Sequence, residues 1–485
     1  MNAKVAGVLG LLIFICIFLA VTVPESFLSA GNLENLLKRT AMFGVLGIGV
    51  AFVIITSGID LSIGSVVCLV GCLLAMFLQV TYDPIGVCEV QEVRAAEKQI
   101  LLNSKGDFVE GDTIRYYGGR RAKTAIVTIT DVSEENGNTL LTLDQAPSRD
   151  DSVGRVAKTY KVSAFTDGDA SSTVTLADDL QIEARDKISF VHPDGGLKML
   201  VITGSEGSVG NKLTLNDSLG KFDATWLAIP QKRRQRMPVL VGVASVLGIA
   251  LVLGLLHGLL VTKQNLPPFV VTLCGLLFYR GISRWMVSDQ TVGFGNEFEA
   301  SLSRVGSGKL PILTSGDEVL FGIPYAFFIM LFIAIAASIF LNKTIWGRYM
   351  LALGHNEQAA RYSGINTGRV TVIAYVICTL LAAVGGILFA LDSNSVAPSS
   401  FGNFFELYAI AAAVLGGCSL RGGQGGILGV VVGTALMQVL YNLIVLLKIS
   451  DKLEFAIIGA VILLGVMTDE FIRNVAQKRR ARMKA

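Results

Sequence analysis

Asp60 is the ionisable residue with the most unusual setting in this sequence. It lies in the polar segment 57–62, between the apolar runs 41–56 and 63–80. A charge inside a membrane helix costs roughly 2.5–3.5 kcal/mol on insertion scales, so it marks either a break that lines a pathway or a helix start. In the helix-start interpretation, which the sequence favours, Ser57, Asp60 and Ser62 accept hydrogen bonds from the first N–H groups of the next helix. The two interpretations are compatible.

Glu406 and Gly417 mark similar interruptions late in the chain. Glu406 lies among aromatic and aliphatic residues, where an acid in the first turn of a helix favours the helix dipole. Segments 58–64 and 417–423 share the pattern Gly-x-(Asp/Ser)-Leu-x-x-Gly. Such a match indicates either a transporter repeat with broken helices or a chance similarity of Gly-rich segments. In the pathway interpretation the lining residues are Ser57, Gly58, Asp60, Ser62, Glu406 and Gly417.

The segment 354–365 is a polar stretch between two apolar runs. Asn356 can cap a short helix, Glu357 would lie in its first turn, and Gly364 would end it. Four basic residues surround this segment against one acid, which favours the cytoplasmic side; they are Lys343, Arg348, Arg361 and Arg369. A short surface helix of this kind either docks into a groove on a partner or simply connects two helices. The residues alone leave both possibilities open.

Two other patterns predict no chemistry. The segment 304–309 resembles the tail of a phosphate-binding loop, but Ser303 stands where Gly is required and Leu310 where Ser or Thr would hold Mg²⁺. The histidines, His192, His257 and His355, are far apart and lack the spacing of metal ligands. We therefore expect no catalytic residues, no metal site and no cofactor. The basic tail around 478–482 predicts an anchor beside anionic lipid rather than a nucleic-acid site.

Apolar helices must position these segments. The 485 residues are 52% hydrophobic and only 16% charged, with a mean hydropathy of +0.59, which is too apolar for a soluble protein of this size. A membrane helix needs roughly 20 apolar residues. About ten runs qualify: 5–23, 41–56, 63–80, 238–261, 269–285, 323–341, 370–391, 405–417, 427–447 and 455–467. The first is interpreted as a retained helix rather than a secretory signal.

One large segment, 85–236, is different in character. Short alternating stretches separated by Asp, Gly, Asn and Ser turns predict strands, and therefore an inserted soluble β-rich domain. Between 85 and 233 acidic residues outnumber basic ones by 22 to 18. The segments 142–144, 175–178 and 214–217 are similar, which indicates either a duplicated small barrel or common features of strand ends. The sequence slightly favours strand ends.

Four ordered motifs resemble the ribose-type sugar permeases of ABC transporters. Segment 53–65 resembles the signature of these permeases, 347–366 their cytoplasmic coupling loop, and 409–420 and 423–429 their late polar break and the helix after it. The resemblance covers 27–83 and 238–469. It implies about ten transmembrane helices in a bacterial inner membrane, with cytoplasmic ATPase subunits, a second permease subunit and an extracytoplasmic solute-binding protein as partners.

The same resemblance implies a role for segment 347–366, which is called the coupling segment. The residues expected to contact the ATPase are Gly354, Asn356, Glu357, Ala359, Ala360, Ser363 and Gly364. The family has only a short connection where this chain carries its insert, so the insert is a departure. Counting helices from a cytoplasmic coupling loop places the insert outside, whereas the basic run 232–236 favours the inside. We expect the outside, because long domains follow the charge bias poorly.

The resulting expectation is an all-α polytopic membrane protein with an inserted β-rich domain. Its parts are helices 1–3 (1–84), the insert (85–236), helices 4–10 with the coupling loop 342–369 (237–470), and a basic cytoplasmic tail (471–485). The expected function is ATP-driven import of a small solute, most simply a monosaccharide such as ribose, with ATP hydrolysed on partner subunits. Alternatives are a branched-chain amino acid permease, an ion-coupled transporter using Asp60 and Glu406, or a membrane anchor for the β-domain.

Overall fold

The computed structural model contains two compact units. One comprises Met1–Gln79 with Met237–Ala485 and is helical, and the other, Val80–Arg236, is a β unit. The structure describes residues 3–117, 125–146, 154–166, 171–180, 182–192, 197–205, 210–217, 226–295, 297–298, 301–315, 318–450, 453, 456–457, 459–460, 463 and 467. The tenth expected span and the basic tail lie outside these residues, apart from the isolated positions.

The helical unit contains thirteen helices within the described residues. They are α1 (Ala3–Thr22), α2 (Pro24–Phe27), α3 (Ala30–Ile55), α4 (Ile63–Phe77), α5 (Val239–Lys263), α6 (Pro268–Met286), α7 (Ser303–Ser307), α8 (Tyr325–Lys343), α9 (Ile345–His355), α10 (Glu357–Tyr362), α11 (Thr367–Ser393), α12 (Phe405–Leu415) and α13 (Ile427–Leu446).

Six of the described helices are long and apolar enough to cross a membrane, namely α1, α3, α5, α8, α11 and α13. Three more expected spans form helices, but α4 and α12 are short, with 15 and 11 residues, and α6 carries two arginines in its second half. The chain is therefore a multi-pass helical protein. The expected total of about ten spans remains a prediction.

Helix directions in this unit follow from contacts at its two ends. Lys38 near the start of α3 pairs with Asp392 near the end of α11, at 2.7 Å. At the other end a Cβ atom on Gly354 of α9 would collide with the carbonyl oxygen of Ile55, the last residue of α3. Helices α3 and α11 are thus antiparallel, and the coupling segment α9–α10 lies at the end opposite to Lys38 and Asp392.

Two short two-stranded sheets lie at the Lys38 end. Strand β13 (Val292–Gly293) pairs with β16 (Ser395–Val396), which directly follows α11. Strands β14 (Lys309–Ser315) and β15 (Glu318–Pro324) pair with each other. Glu34 of α3 joins this hairpin by accepting hydrogen bonds from Lys309 Nζ at 2.9 Å and from the Gly322 N–H at 2.7 Å. Lys309, the lysine of the loop-like segment 304–309, therefore serves in an ion pair.

In the described residues of the β unit there are twelve antiparallel strands. They are β1 (Val80–Pro84), β2 (Val87–Arg94), β3 (Gln99–Leu102), β4 (Thr113–Tyr117), β5 (Ala125–Glu135), β6 (Asn138–Leu143), β7 (Arg155–Thr166), β8 (Thr173–Leu180), β9 (Lys187–Val191), β10 (Leu197–Ser205), β11 (Gly210–Leu215) and β12 (Leu227–Gln235). The first strand, β1, pairs along its length with the second half of β12, with Val80 opposite Gln235.

The strand pairings close two six-stranded cycles that share β7. The first cycle begins and ends at the first half of β7 and runs through β2, β3, β6, β5 and β4, each strand pairing with the next. The second cycle begins and ends at the other half of β7 and runs through β8, β11, β10, β9 and β12. Each cycle encloses its own apolar core, around Ile114 in the first and Phe190 in the second. Closure leaves each small sheet without free edges.

The two barrels have similar architectures, and hydrogen bonds repeat between them. Asp112 accepts from the Val109 N–H at 3.0 Å, as Asp186 does from the Glu183 N–H at 2.9 Å. Likewise Asp144 accepts from the Thr128 N–H, as Asn216 accepts from the Val201 N–H. Segments 142–144 and 214–217 hold equivalent positions, which favours the duplicated barrel, and both are also strand ends, of β6 and β11. Segment 175–178 lies in β8 and has no part in this equivalence.

Candidate functional site

The connection between α3 and α4 forms a non-helical break inside the helical unit. Helix α3 ends at Ile55, and the Gly58 N–H returns to the Val53 carbonyl at 2.9 Å. A Cβ atom on Gly58 would lie only 2.9 Å from a Val53 methyl group and 3.0 Å from the Tyr375 hydroxyl. Glycine is therefore needed for the chain to turn back at this position, and the next residues run through the protein interior.

Asp60 is completely buried in this break. Its Oδ1 accepts hydrogen bonds from the Ser62 N–H at 2.9 Å and the Ser62 hydroxyl at 2.6 Å. The carboxylate thus serves one N–H near the start of α4, while the hydroxyls of Ser57 and Ser62 do not cap this helix. The second oxygen, Oδ2, has no hydrogen-bond partner although it is buried. Such an atom can accept a hydrogen bond from a bound molecule.

Three other helices deliver polar side chains to the same break. Tyr375 of α11 and Thr272 of α6 each donate to the Ile59 carbonyl at 3.3 Å. His257 of α5 bonds through Nε2 to the Tyr279 hydroxyl at 2.8 Å, while its buried Nδ1 has no partner. His257 is also within electrostatic range of Asp60. The break is therefore surrounded by hydrogen-bonding groups.

The sequence interpretation did not place these residues at the break. It took Tyr279 and Tyr375 only as parts of apolar spans, and it considered His257 only as a metal ligand. A polar ring within such a span is a usable signal, because it must find a partner inside the protein. Which spans face the break, however, depends on helix packing. No group of three His, Cys, Asp or Glu residues in the described part of the chain is arranged to hold a metal ion.

Glu406 lies where the N-terminal ends of α4 and α12 meet. It is in the first turn of α12, as predicted, and is 8% exposed. A Cβ atom on Gly64, in the first turn of α4, would collide with Glu406 Oε2 and with the Gly402 carbonyl. One carboxylate therefore lies beside the positive ends of two helix dipoles. Arg280 of α6 holds the preceding loop by donating to the Phe401 carbonyl at 2.6 Å.

The late break at Gly417 connects α12 to α13 and lies against the end of α3. Gly417 has a φ of 94°, a left-handed conformation that favours glycine. Further along this connection the Gly423 N–H donates to the Ile55 carbonyl at 2.9 Å. Segments 58–64 and 417–423 are thus both helix connections near the same end of α3. Gly417 itself is not brought to Asp60 by any described contact.

Ser57 links the first break to the coupling segment. Its hydroxyl lies 3.2 Å from the Gly354 carbonyl and 3.0 Å from the Arg421 carbonyl. Of the expected pathway residues, Gly58, Asp60 and Ser62 lie together. Glu406 lies beside Gly64, in the first turn of α4. Ser57 points instead toward α9.

The coupling segment forms the predicted short helix. Asn356 caps α10 by accepting from the Ala359 N–H at 3.0 Å, and Gly364 follows the helix with a φ of 81°. Glu357 and Arg361 form an ion pair one turn apart at 2.9 Å. Five of the seven expected contact residues are exposed, while Gly354 and Ala360 are buried and pack against the protein. Tyr362, which the sequence interpretation omitted, is 91% exposed.

Apolar spanning helices interrupted at buried carboxylates define a membrane transport protein. The family described as "Branched-chain amino acid transport system / permease component" matches residues 213–466, and the chain belongs to it. The resemblance to sugar-type ABC permeases predicted from the sequence is confirmed by its relatives. These are transport permeases rather than enzymes.

Three relatives illustrate the similarity. The ribose import permease protein RbsC of Escherichia coli (strain K12) is 34% identical over 276 residues, which are 56% of this chain and 80% of that protein. RbsC of Haemophilus influenzae is 30% identical over 294 residues, covering 60% and 85%. The xylose transport system permease protein XylH of Escherichia coli (strain K12) is 28% identical over 325 residues, covering 56% and 78%.

Proposed function

We propose that this chain is the permease subunit of a bacterial ATP-driven importer and forms the pathway for a small neutral sugar such as ribose. It would lie in the inner membrane and work with two cytoplasmic ATPase subunits, a second permease subunit and an extracytoplasmic binding protein. The observation that carries the proposal is the buried Asp60 at a helix break, with an oxygen free to accept a hydrogen bond.

The chemistry around Asp60 suits a polyhydroxylated molecule. A sugar hydroxyl can donate to Oδ2, while Tyr279, His257 and Thr272 offer further hydrogen-bonding groups. A zwitterionic amino acid would need a cation and an anion placed together, whereas Arg280, the arginine of this part of α6, is engaged with backbone carbonyls. The names of the relatives, ribose and xylose permeases, agree with a sugar. A branched-chain amino acid remains the second candidate because of the family description.

Charge favours a cytoplasmic position for the coupling segment. Among the residues that the structure describes, the end of the helical unit that carries α10 has one acid, Glu357, and several basic residues. These are Lys263, Lys343, Arg348, Arg361, Arg369 and Arg421. At the other end Lys38, Lys309 and Arg284 are paired with acids, and Arg39 and Arg304 are further basic residues there. By the positive-inside bias, α10 faces the cytoplasm, where the ATPase would bind it. Displacement of this segment would accompany alternating access.

Transport by the complete complex tests the proposal. Proteoliposomes containing the chain, its ATPase and its binding protein should accumulate labelled ribose, xylose or a related sugar only when ATP is supplied. Asp60→Asn should lower uptake about tenfold or more, because a hydrogen bond to a charged group contributes roughly 1.5–3 kcal/mol. Glu25→Gln, at an exposed carboxylate of α2, is the matched control and should transport normally.

Two results would overturn this assignment. Uptake driven by a pH gradient without ATP would indicate an ion-coupled transporter instead. Accumulation of leucine or valine, with no sugar taken up from a panel of pentoses and hexoses, would show that the chain is a permease for amino acids rather than sugars.

A further inference from the structure

Ser57 has a strained backbone conformation that the proposed pathway does not require. Its φ of 63° is in the left-handed region, which non-glycine residues occupy only when their surroundings hold them there. The residue lies two positions after the end of α3, and its hydroxyl lies between two carbonyl oxygens from distant parts of the chain, those of Gly354 and Arg421. A single hydroxyl hydrogen is thus shared by two acceptors.

The three segments that meet here touch through their backbones. A Cβ atom on Gly422 would lie 2.8 Å from the Gly354 carbonyl, and one on Gly423 would lie 2.7 Å from the His355 Cα. The Gly423 N–H is bonded to Ile55. Because these glycines bring the backbones into direct contact and the Ser57 side chain packs between them, a shift of one segment must displace the others.

Each segment leads within a few residues to a part that matters for transport. Gly354 precedes α10, the proposed ATPase contact, and Ser57 precedes Asp60. Arg421 lies in the connection that leads to α13. We propose that Ser57 is a positioning residue, whose hydroxyl ties the coupling segment to both helix breaks so that they move as one. The inference rests on the proposed function, since it concerns how that function is driven.

The test separates the hydroxyl from the backbone conformation. Ser57→Gly removes the hydroxyl and tolerates the positive φ, whereas Ser57→Asn keeps a donor in a residue that also tolerates it. Import and ATP hydrolysis are measured together in proteoliposomes with the ATPase and binding protein. For Ser57→Gly we expect the solute imported per ATP hydrolysed to fall at least about fivefold, the effect of losing one ordinary hydrogen bond. ATP hydrolysis itself should persist, and Ser57→Asn should restore at least about half of the normal ratio.

Asn265→Gly is the matched control, because Asn265 has a similar φ of 51° in the connection between α5 and α6. It should import normally. An unchanged import ratio in Ser57→Gly would overturn the inference, as would equal losses of import and hydrolysis or equal defects in both Ser57 variants. Absence of ATP-dependent import in the unmodified complex would instead refute the proposed function, so the two failures are distinguishable.

Discussion

Lys38 and Asp392 form an ion pair of 2.7 Å between the start of α3 and the end of α11, 354 residues apart in the chain. This pair marks the end of the helical unit opposite to Gly354. Helix α4 runs toward the same end, because Gly71 packs against Val396 just beyond α11. At the start of α5, Gly242 packs against Leu78. The end of α4 and the start of α5 therefore both lie at the Lys38 end of the helical unit.

If the coupling segment is cytoplasmic, we expect the β unit to be extracytoplasmic. Asn136, at the exposed turn between β5 and β6, is suitable for Asn136→Cys. An impermeant thiol reagent should label this variant on intact cells. Tyr362→Cys, on α10, should be labelled only after lysis and serves as the matched control. Protection of Asn136→Cys until lysis would show that the insert faces the cytoplasm.

Close packing of Gly64 against Glu406 predicts a large effect of one methyl group. In Gly64→Ala the new Cβ atom would collide with a carboxylate oxygen and a backbone carbonyl, which cannot both move away. We expect a loss of roughly 1–3 kcal/mol in the free energy of unfolding, typical of overpacking. The measurement is thermal unfolding of the purified protein in detergent.

Gly248→Ala is the control for this substitution. A Cβ atom at Gly248 in α5 would meet nothing within 4 Å, so this variant should be unchanged or up to about 1 kcal/mol more stable. Equal melting temperatures for the two variants would contradict the packing of Gly64 against Glu406.

Tyr362 is expected to anchor the ATPase. An aromatic side chain this exposed at a polar helix end has no packing role in the isolated chain, and tyrosine is common among residues that dominate interfaces. Tyr362→Ala should weaken ATPase binding about tenfold or more, since such anchors contribute about 2 kcal/mol. Trp285 is 80% exposed at the other end of the helical unit, so Trp285→Ala is the control and should leave ATPase binding unchanged. Co-purification and titration of the ATPase in detergent measure the difference, and equal binding would exclude Tyr362 as an anchor.

The duplicated barrels predict equivalent roles for Asp112 and Asp186. Asp112→Ala should speed hydrogen exchange at the Val109 amide about tenfold, and Asp186→Ala should do so at the Glu183 amide, because each substitution removes the bond that protects that amide. Each variant is the control for the other barrel. Hydrogen exchange is measured by mass spectrometry on the full chain. An unchanged exchange rate at the named amide in either variant would contradict the equivalence of the two aspartates.

The sequence predicted those parts of the fold that depend on local signals. Apolar runs of membrane length became helices, since a spanning segment must satisfy its own backbone hydrogen bonds. Asn356 and Glu357 identified α10 because a cap acts within one helical turn. Alternating residues indicated the β unit, but not its duplication, because strand pairing joins positions that neither periodicity nor turn residues connect.

What the sequence by itself determined about this protein is its class: a polytopic helical chain with an inserted β-rich segment, polar breaks and a coupling segment. Only the tertiary structure decided which residues meet at those breaks. His257 and Tyr375 reach the Asp60 break, Glu406 reaches the start of α4, and Ser57 joins Gly354. These contacts depend on how whole helices rotate and pack against one another, and packing is set by many side chains together rather than by any local pattern.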